Sequence, residues 1–78
     1  ATVEQGQGEV LELDVSDDFD MKRVMDLKMP VQAIIAVIQR RNRVIIPNGD
    51  TQIHSGDTLI VFTRAENVPE IKKFFKVK

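Results

Sequence analysis

Leu11, Leu13 and Val15 alternate with Glu12 and Asp14, the period of two that turns one side of a β-strand toward a core and the other toward water. Val10 adds an apolar residue at its start. Past this strand the period changes. Met21, Val24, Met25 and Leu27 recur at helical spacing against Lys22, Arg23, Asp26 and Lys28, which predicts a helix over residues 20–27 with Asp18 or Asp20 as its cap. It must end before Pro30, because the proline ring pushes Met29 out of helical backbone. Residues 33–38, AIIAVI, are apolar at every position, as a strand covered on both sides requires. Arg40-Arg41-Asn42-Arg43 interrupts this run and Val44-Ile45-Ile46 resumes it, predicting a β-hairpin in which Asn42 takes the left-handed backbone of a tight turn.

Pro47-Asn48-Gly49-Asp50 then turns the chain, since proline ends a ladder and Asn-Gly is a strong turn signal. A short extended piece, Thr51-Gln52-Ile53, leads into a second turn, His54-Ser55-Gly56-Asp57. In the strand over residues 58–63, Leu59 and Val61 face one way and Ile60 and Phe62 the other, which again calls for cover on both sides. The last element is a helix over residues 67–75. Asn67 and Glu70 have capping-box spacing, Pro69 falls in the first turn, and Val68, Ile71, Phe74 and Phe75 form the apolar stripe. The order strand, helix, strand, strand, short strand, strand, helix is an α+β plan: a small antiparallel or mixed sheet of about four strands with two helices.

Residues 1–8, ATVEQGQG, read as a flexible lead-in or linker, and residues 9–78 as one domain. A start at Ala1 fits an excised fragment and a processed terminus equally well, and a fragment is the expectation. Two Gly-Asp-Thr triplets, at residues 49–51 and 56–58, look at first like a small site. Their glycines permit turns and their aspartates accept backbone N–H bonds, so they are read as corners.

Composition narrows the chemistry. With 78 residues and no cysteine, the chain holds one small core with no disulfide or thiolate zinc site to support it. The longest apolar run is too short to cross a bilayer, so no direct membrane insertion is expected. A single histidine, His54, is read as an exposed turn residue rather than a metal ligand or a partner of Ser55 in a triad. Asp14, Asp17, Asp18 and Asp20 lack the glycine and terminal glutamate of a calcium loop and are assigned to capping and solvation. No catalytic residue and no metal site is expected. Residues 1–20 carry seven acidic groups and no basic one, whereas residues 21–78 carry eleven basic and five acidic groups. The basic clusters are Arg40, Arg41 and Arg43, and Lys72, Lys73, Lys76 and Lys78. With no Tyr or Trp for base stacking, they do not read as a nucleic-acid surface. The abundance of Ile, Val, Leu, Met and Phe points to more apolar surface than two helices cover, and so to a homodimer.

The run from Ile34 to Thr51, IIAVIQRRNRVIIPNGDT, followed by IHSGDTLIVF, resembles the C-terminal domain of the regulator-of-potassium-conductance family, the TrkA-C type. Arg40 matches the family's strand-ending arginine, Ile46-Pro47 its Ile-Pro pair, and Gly56-Asp57 with Leu59 its later signature. Asn42 stands where glycine is usual, and the segment Phe19-Asp20-Met21-Lys22 lacks the common glycine before the helix. The resemblance covers residues 9–75. It implies a non-catalytic cytoplasmic regulatory domain at the inner face of the cell membrane, attached to or associated with a potassium channel, potassium transporter or other membrane carrier, and pairing as a homodimer. It also implies a cleft for cyclic di-AMP or another nucleotide ligand, which here takes in Ile38, Arg40, Arg41, Ile45, Ile46, Pro47 and Asn48. A purely structural dimerisation domain with no small-molecule ligand is the alternative.

Overall fold

The computed structural model describes residues 8–75. All but Gly8 of the expected lead-in, and Lys76 and Lys78 of the C-terminal basic cluster, lie outside the described residues. Four strands form the main sheet: β1 (Glu9–Asp14), β3 (Ala33–Arg40), β4 (Arg43–Ile45) and β6 (Thr58–Thr63). Their order is β1-β6-β3-β4 and every pairing is antiparallel. A second, two-stranded sheet joins β2 (Lys22–Arg23) to β5 (Gln52–Ile53). The helix α1 (Val68–Phe74) closes one face of the main sheet.

The apolar pattern explains the sheet. Leu11 and Leu13 stand opposite Val61 and Leu59, and Ile35 and Ile38 stand opposite the same two residues on the other side of β6. Ile35 and Ile38 are three apart, a spacing that a regular strand would send to opposite faces. An irregularity in register between Ile35 and Val37 absorbs the extra residue, Ala36, as a β-bulge does, so that both isoleucines turn inward. Ile71 and Phe75 pack onto this inner face, and the core of Leu13, Val15, Ile38, Ile53, Leu59, Val61, Ile71 and Phe75 is at most 3% exposed at any residue. Phe75 also meets Phe74 edge-on with ring centroids 5.0 Å apart and Phe19 at 5.7 Å.

Three details differ from the sequence pattern. The segment expected as the first helix is β2 followed by a single 3-10 turn (Val24–Asp26). Its backbone donors are drawn sideways: the Val24 N–H bonds Thr51 O at 2.8 Å and the Met25 N–H bonds Gly49 O at 2.9 Å, leaving only Leu27 N–H to Val24 O within the turn. Partners from a distant part of the same chain replace the intrahelical ones that so short a helix would need tertiary packing to keep. Left-handed backbone in the hairpin falls on Arg41, φ 57°, rather than on Asn42. At α1, Asn67 has helical backbone and makes no side-chain cap bond, because a 3-10 turn (Ala65–Asn67) already leads into the helix. Pro69 still lies in the first turn, where its missing N–H has no partner to lose.

Strands β3 and β6, apolar on both sides, are covered by α1 on one side only. Val10, Ile34 and Phe62 remain 66%, 62% and 38% exposed on the other.

Candidate functional site

Arg40 ends β3 next to the hairpin, and Asp57 ends the turn that feeds β6. The turn is built by Gly56, whose φ of +84° suits a residue without Cβ, and by a reciprocal pair of bonds. Asp57 N–H donates to His54 O at 3.1 Å, and His54 N–H donates to the Asp57 carboxylate at 2.8 Å. This fixes a buried carboxylate, 1% exposed, beneath the β3 end. Arg40 meets it as a fork, Nε to Oδ1 at 2.8 Å and Nη2 to Oδ2 at 2.7 Å. Nη2 also donates to Gln52 O at 2.9 Å, so one guanidinium ties the hairpin to β5 and to the turn before β6.

The electrostatics follow from that geometry. Burial pushes the Asp57 carboxyl upward, but the hydrogen bonds from Arg40 and the His54 N–H, together with the Arg40 charge, outweigh it and hold the group below the ordinary carboxylate range. Arg40 is pushed up from its ordinary value by its hydrogen bonds to Asp57 and by that carboxylate's charge, against a smaller lowering from burial. Arg40 is therefore a structural cation first. Its remaining nitrogen, Nη1, takes no part in these bonds.

The other residues expected at the site divide into two groups. Ile38 is fully buried in the core, with Ile45 half-buried opposite it across the β3–β4 ladder. These two shape the floor of the hairpin and offer little free surface. Arg41 is exposed at the turn, Ile46 is 73% exposed just past β4, Pro47 is half-buried and Asn48 is exposed. Asn48 organises the following corner, its Oδ1 accepting the Asp50 N–H at 2.8 Å while its own N–H donates to Thr51 Oγ1 at 3.0 Å. In the first Gly-Asp-Thr triplet the acceptor is thus Asn48 rather than the aspartate. Asp50 instead lies 3.6 Å from Arg23.

The sequence pattern missed the neighbours of this group. Val44 is 66% exposed on the edge strand, and Met25, 56% exposed, sits beside Gly49. His54, expected on the surface, is half-buried with its backbone held by Asp57. Asp57 itself carried a signal, the Gly-Asp signature, but nothing in its spacing from Arg40 announces a pair seventeen residues apart. Among the described residues no group of three or more His, Asp or Glu converges as a metal site.

Comparison with known proteins fits this arrangement. The family model for the TrkA-C domain matches residues 10–76. The chain belongs to the TrkA-C domain family. It is 34% identical over 76 residues to the Trk system potassium uptake protein TrkA homolog of Archaeoglobus fulgidus, covering 95% of this chain and 17% of that protein. It is 31% identical over 77 residues to TrkA homolog 1 of Methanosarcina mazei, covering 96% of this chain and again 17% of that protein. The TrkA-C domain described here thus spans about a sixth of the length of these relatives. A solved structure described as "Structure of RCK domain with cda" superposes with a TM-score of 0.77 at 30% identity, over 85% of this chain and 96% of that one. This TrkA-C domain is a non-catalytic regulatory domain related to potassium-transport proteins. No helix among the described residues is long and apolar enough to cross a membrane.

Proposed function

We propose that this TrkA-C domain is a cytoplasmic control module at the inner face of the membrane, acting for a potassium channel or transporter. It works as a homodimer whose arrangement is biased by a small anionic ligand of the cyclic di-AMP type. The observation that carries the reading is the free edge of the sheet. Val44 and Ile46 stand exposed along it, and Arg41 and Arg43 stand exposed at its hairpin end. Neither arginine belongs to the ion pairs formed among the described residues. Apolar surface beside uncommitted guanidinium suits a ligand with flat bases and phosphate charge. The likeness to an RCK domain with cda supports the same reading. A ligand that binds one arrangement of the pair more tightly shifts the pair toward it by its differential affinity, and it can shift it by no more than that.

One observation favours the ligand-free alternative, a structural dimerisation domain. The family arginine, Arg40, is already neutralised by Asp57, which leaves the ligand only the arginines of the hairpin. Calorimetry with cyclic di-AMP on the folded chain separates the two readings. Ligand control predicts binding heat and a raised melting temperature, both weakened by Arg41→Ala and by Ile46→Ser. A verified folded dimer that gives no heat and no shift would leave the structural reading standing.

A further inference from the structure

We propose that Asn48-Gly49 is a site of spontaneous covalent modification built into the corner between β4 and β5. The Gly49 main-chain nitrogen attacks the Asn48 side-chain amide, and the isoaspartate that results releases the segment over residues 22–27 from that corner. The inference is independent of any ligand or partner copy.

The corner is arranged for the attack. Asn48 Oδ1 accepts the Asp50 N–H at 2.8 Å, and the ring closed by that bond contains the Gly49 nitrogen, so the amide is folded back over the peptide that must attack it. Asn48 is exposed, and the Gly49 N–H donates to no acceptor among the described residues. Hydroxide can therefore remove its proton without breaking a protein hydrogen bond. Gly49 also has no Cβ to crowd the approach. The negative charge that develops falls on Oδ1, where two donors already stand: the Asp50 N–H and the Thr51 hydroxyl, with Oγ1 at 3.4 Å. Thr51 Oγ1 accepts the Asn48 N–H at 3.0 Å, which leaves its own proton for Oδ1. Donors fixed beforehand where charge appears lower the barrier. The Gly49 N–Cγ bond forms, the Cγ–Nδ2 bond breaks, and Nδ2 takes up a proton to leave as ammonia. Water then opens the cyclic imide at Cγ, giving aspartate, or at the main-chain carbon of residue 48, giving isoaspartate with the chain routed through its side chain.

The same corner carries the bonds that shape residues 22–27. Met25 N–H donates to Gly49 O, Val24 N–H donates to Thr51 O, and the Thr51 N–H closes the turn on Asn48 O at 3.1 Å. Strand β5, which pairs with β2, begins directly after Thr51. Aspartate at residue 48 keeps an oxygen for the Asp50 N–H and leaves the main chain as it was. Isoaspartate lengthens the main chain by a carbon and turns the residue 48 carbonyl into a free carboxylate. The turn bond from Thr51 is then lost, and the Gly49 and Thr51 carbonyls shift away from the donors of Met25 and Val24. None of the pairings of the main sheet runs through residues 47–51, so the release is local. The other two asparagines, Asn42 and Asn67, are followed by Arg43 and Val68, whose side chains crowd the attacking nitrogen.

Incubation of the 78-residue chain at mildly alkaline pH tests the chemistry, with peptide mapping by mass spectrometry to locate the acid and circular dichroism to confirm the fold of each variant. Acid should appear at residue 48 and not at residues 42 or 67, at least as fast as in a synthetic peptide of residues 45–53. Thr51→Val should slow it by about 2- to 10-fold, the worth of one exposed hydrogen bond, and Thr51→Ser, which keeps the hydroxyl, should restore the rate. If Thr51→Val fails to fold, Thr51→Ala takes its place. Gly49→Ala should suppress the reaction. Hydrogen exchange on the separated products tests the release: in the isoaspartate form the Val24 and Met25 amides should exchange about 10-fold faster or more, while Asn48→Asp leaves them near the wild-type rate. Slower reaction in the folded chain than in the peptide means that the fold protects Asn48 and overturns the site. A Thr51→Val rate equal to wild type overturns the role of the hydroxyl. Unchanged exchange at Val24 and Met25, or faster exchange that spreads to Leu59 and Val61 of β6, overturns the local release.

Discussion

The Arg40–Asp57 fork makes a prediction that can be worked through quantitatively. The two partners are unequally exposed, with side-chain exposures of 28% and 2%. Removing Asp57 frees a guanidinium that can swing toward water, while removing Arg40 strands a carboxylate that cannot. Breaking a buried pair by deleting one partner costs about 3–5 kcal/mol when the survivor stays buried. Arg40→Met should therefore cost about 3–4 kcal/mol, softened by the His54 N–H bond that the carboxylate keeps. Asp57→Asn, which retains an acceptor for that N–H, should cost about 1.5–2.5 kcal/mol. The double variant leaves no stranded charge, so it should cost less than the sum of the two by about 1.5–3 kcal/mol. Urea unfolding of all four proteins at one fixed concentration measures the cycle. A domain of this length is stable by about 4–12 kcal/mol, so Arg40→Met removes a large share of the total. Equal costs for the two single changes, or additivity within about 0.5 kcal/mol, would refute the claim that this pair is a coupled, asymmetrically buried latch.

Three further outcomes follow from the same structure. Because the folded Asp57 carboxyl is held below its ordinary range, its contribution is present above about pH 5 and is lost as pH falls through the ordinary carboxylate value near 3.9 toward the depressed one; acid unfolding followed by far-UV circular dichroism should be shallower in Asp57→Asn. Gly56→Ala should lower stability by about 1 kcal/mol, all of it conformational since an added Cβ meets open space, whereas Gly49→Ala meets the movable Met25 Cε at 3.2 Å and the Met25 Cβ at an ordinary contact distance of 3.5 Å and should change the urea midpoint little. Arg41, the one described non-glycine residue at positive φ, should gain about 0.5–1 kcal/mol on replacement by Gly or Asn, and a drop in the thermal midpoint would contradict the strain argument.

How much of the fold is legible in the sequence depends on which force decides each segment. The strand over residues 58–63 is read with its bounds correct, because alternation, a preceding Gly-Asp turn and flanking polar residues all agree. The segment over residues 20–27 misleads because Met21, Val24, Met25 and Leu27 have helical spacing, yet Met21 and Met25 end 56% exposed. Its conformation is set by carbonyls of Thr51 and Gly49, about two dozen residues away in sequence; no local window contains them. The hairpin is legible in kind but not in detail, since Asn42 has the better intrinsic tolerance for positive φ while the two-residue connection between Arg40 and Arg43 places it on Arg41. The bulge beside Ala36 is invisible in a run where every residue is apolar, because shifting the register by one leaves the pattern unchanged.

At the site, residue type was readable and commitment was not. An arginine beside Ile-Pro and Asn-Gly suggests an anion, and the structure shows the same arginine already holding one, contributed by the protein. Asp57 is recruited by Gly56, whose backbone turns the carboxylate under the end of β3, and by His54, whose N–H helps to keep it ionised. Under the proposed ligand reading, three neighbouring arginines divide the labour. Arg40 supplies rigidity, joining the hairpin to Gln52 and Asp57, and Arg41 and Arg43, exposed and in none of the ion pairs among the described residues, would supply charge on a platform that this rigidity fixes. A platform of that kind loses little conformational entropy when a ligand or a partner copy settles on it. That is the physical reason to spend a buried ion pair, otherwise a weak source of stability, at the corner of so small a domain.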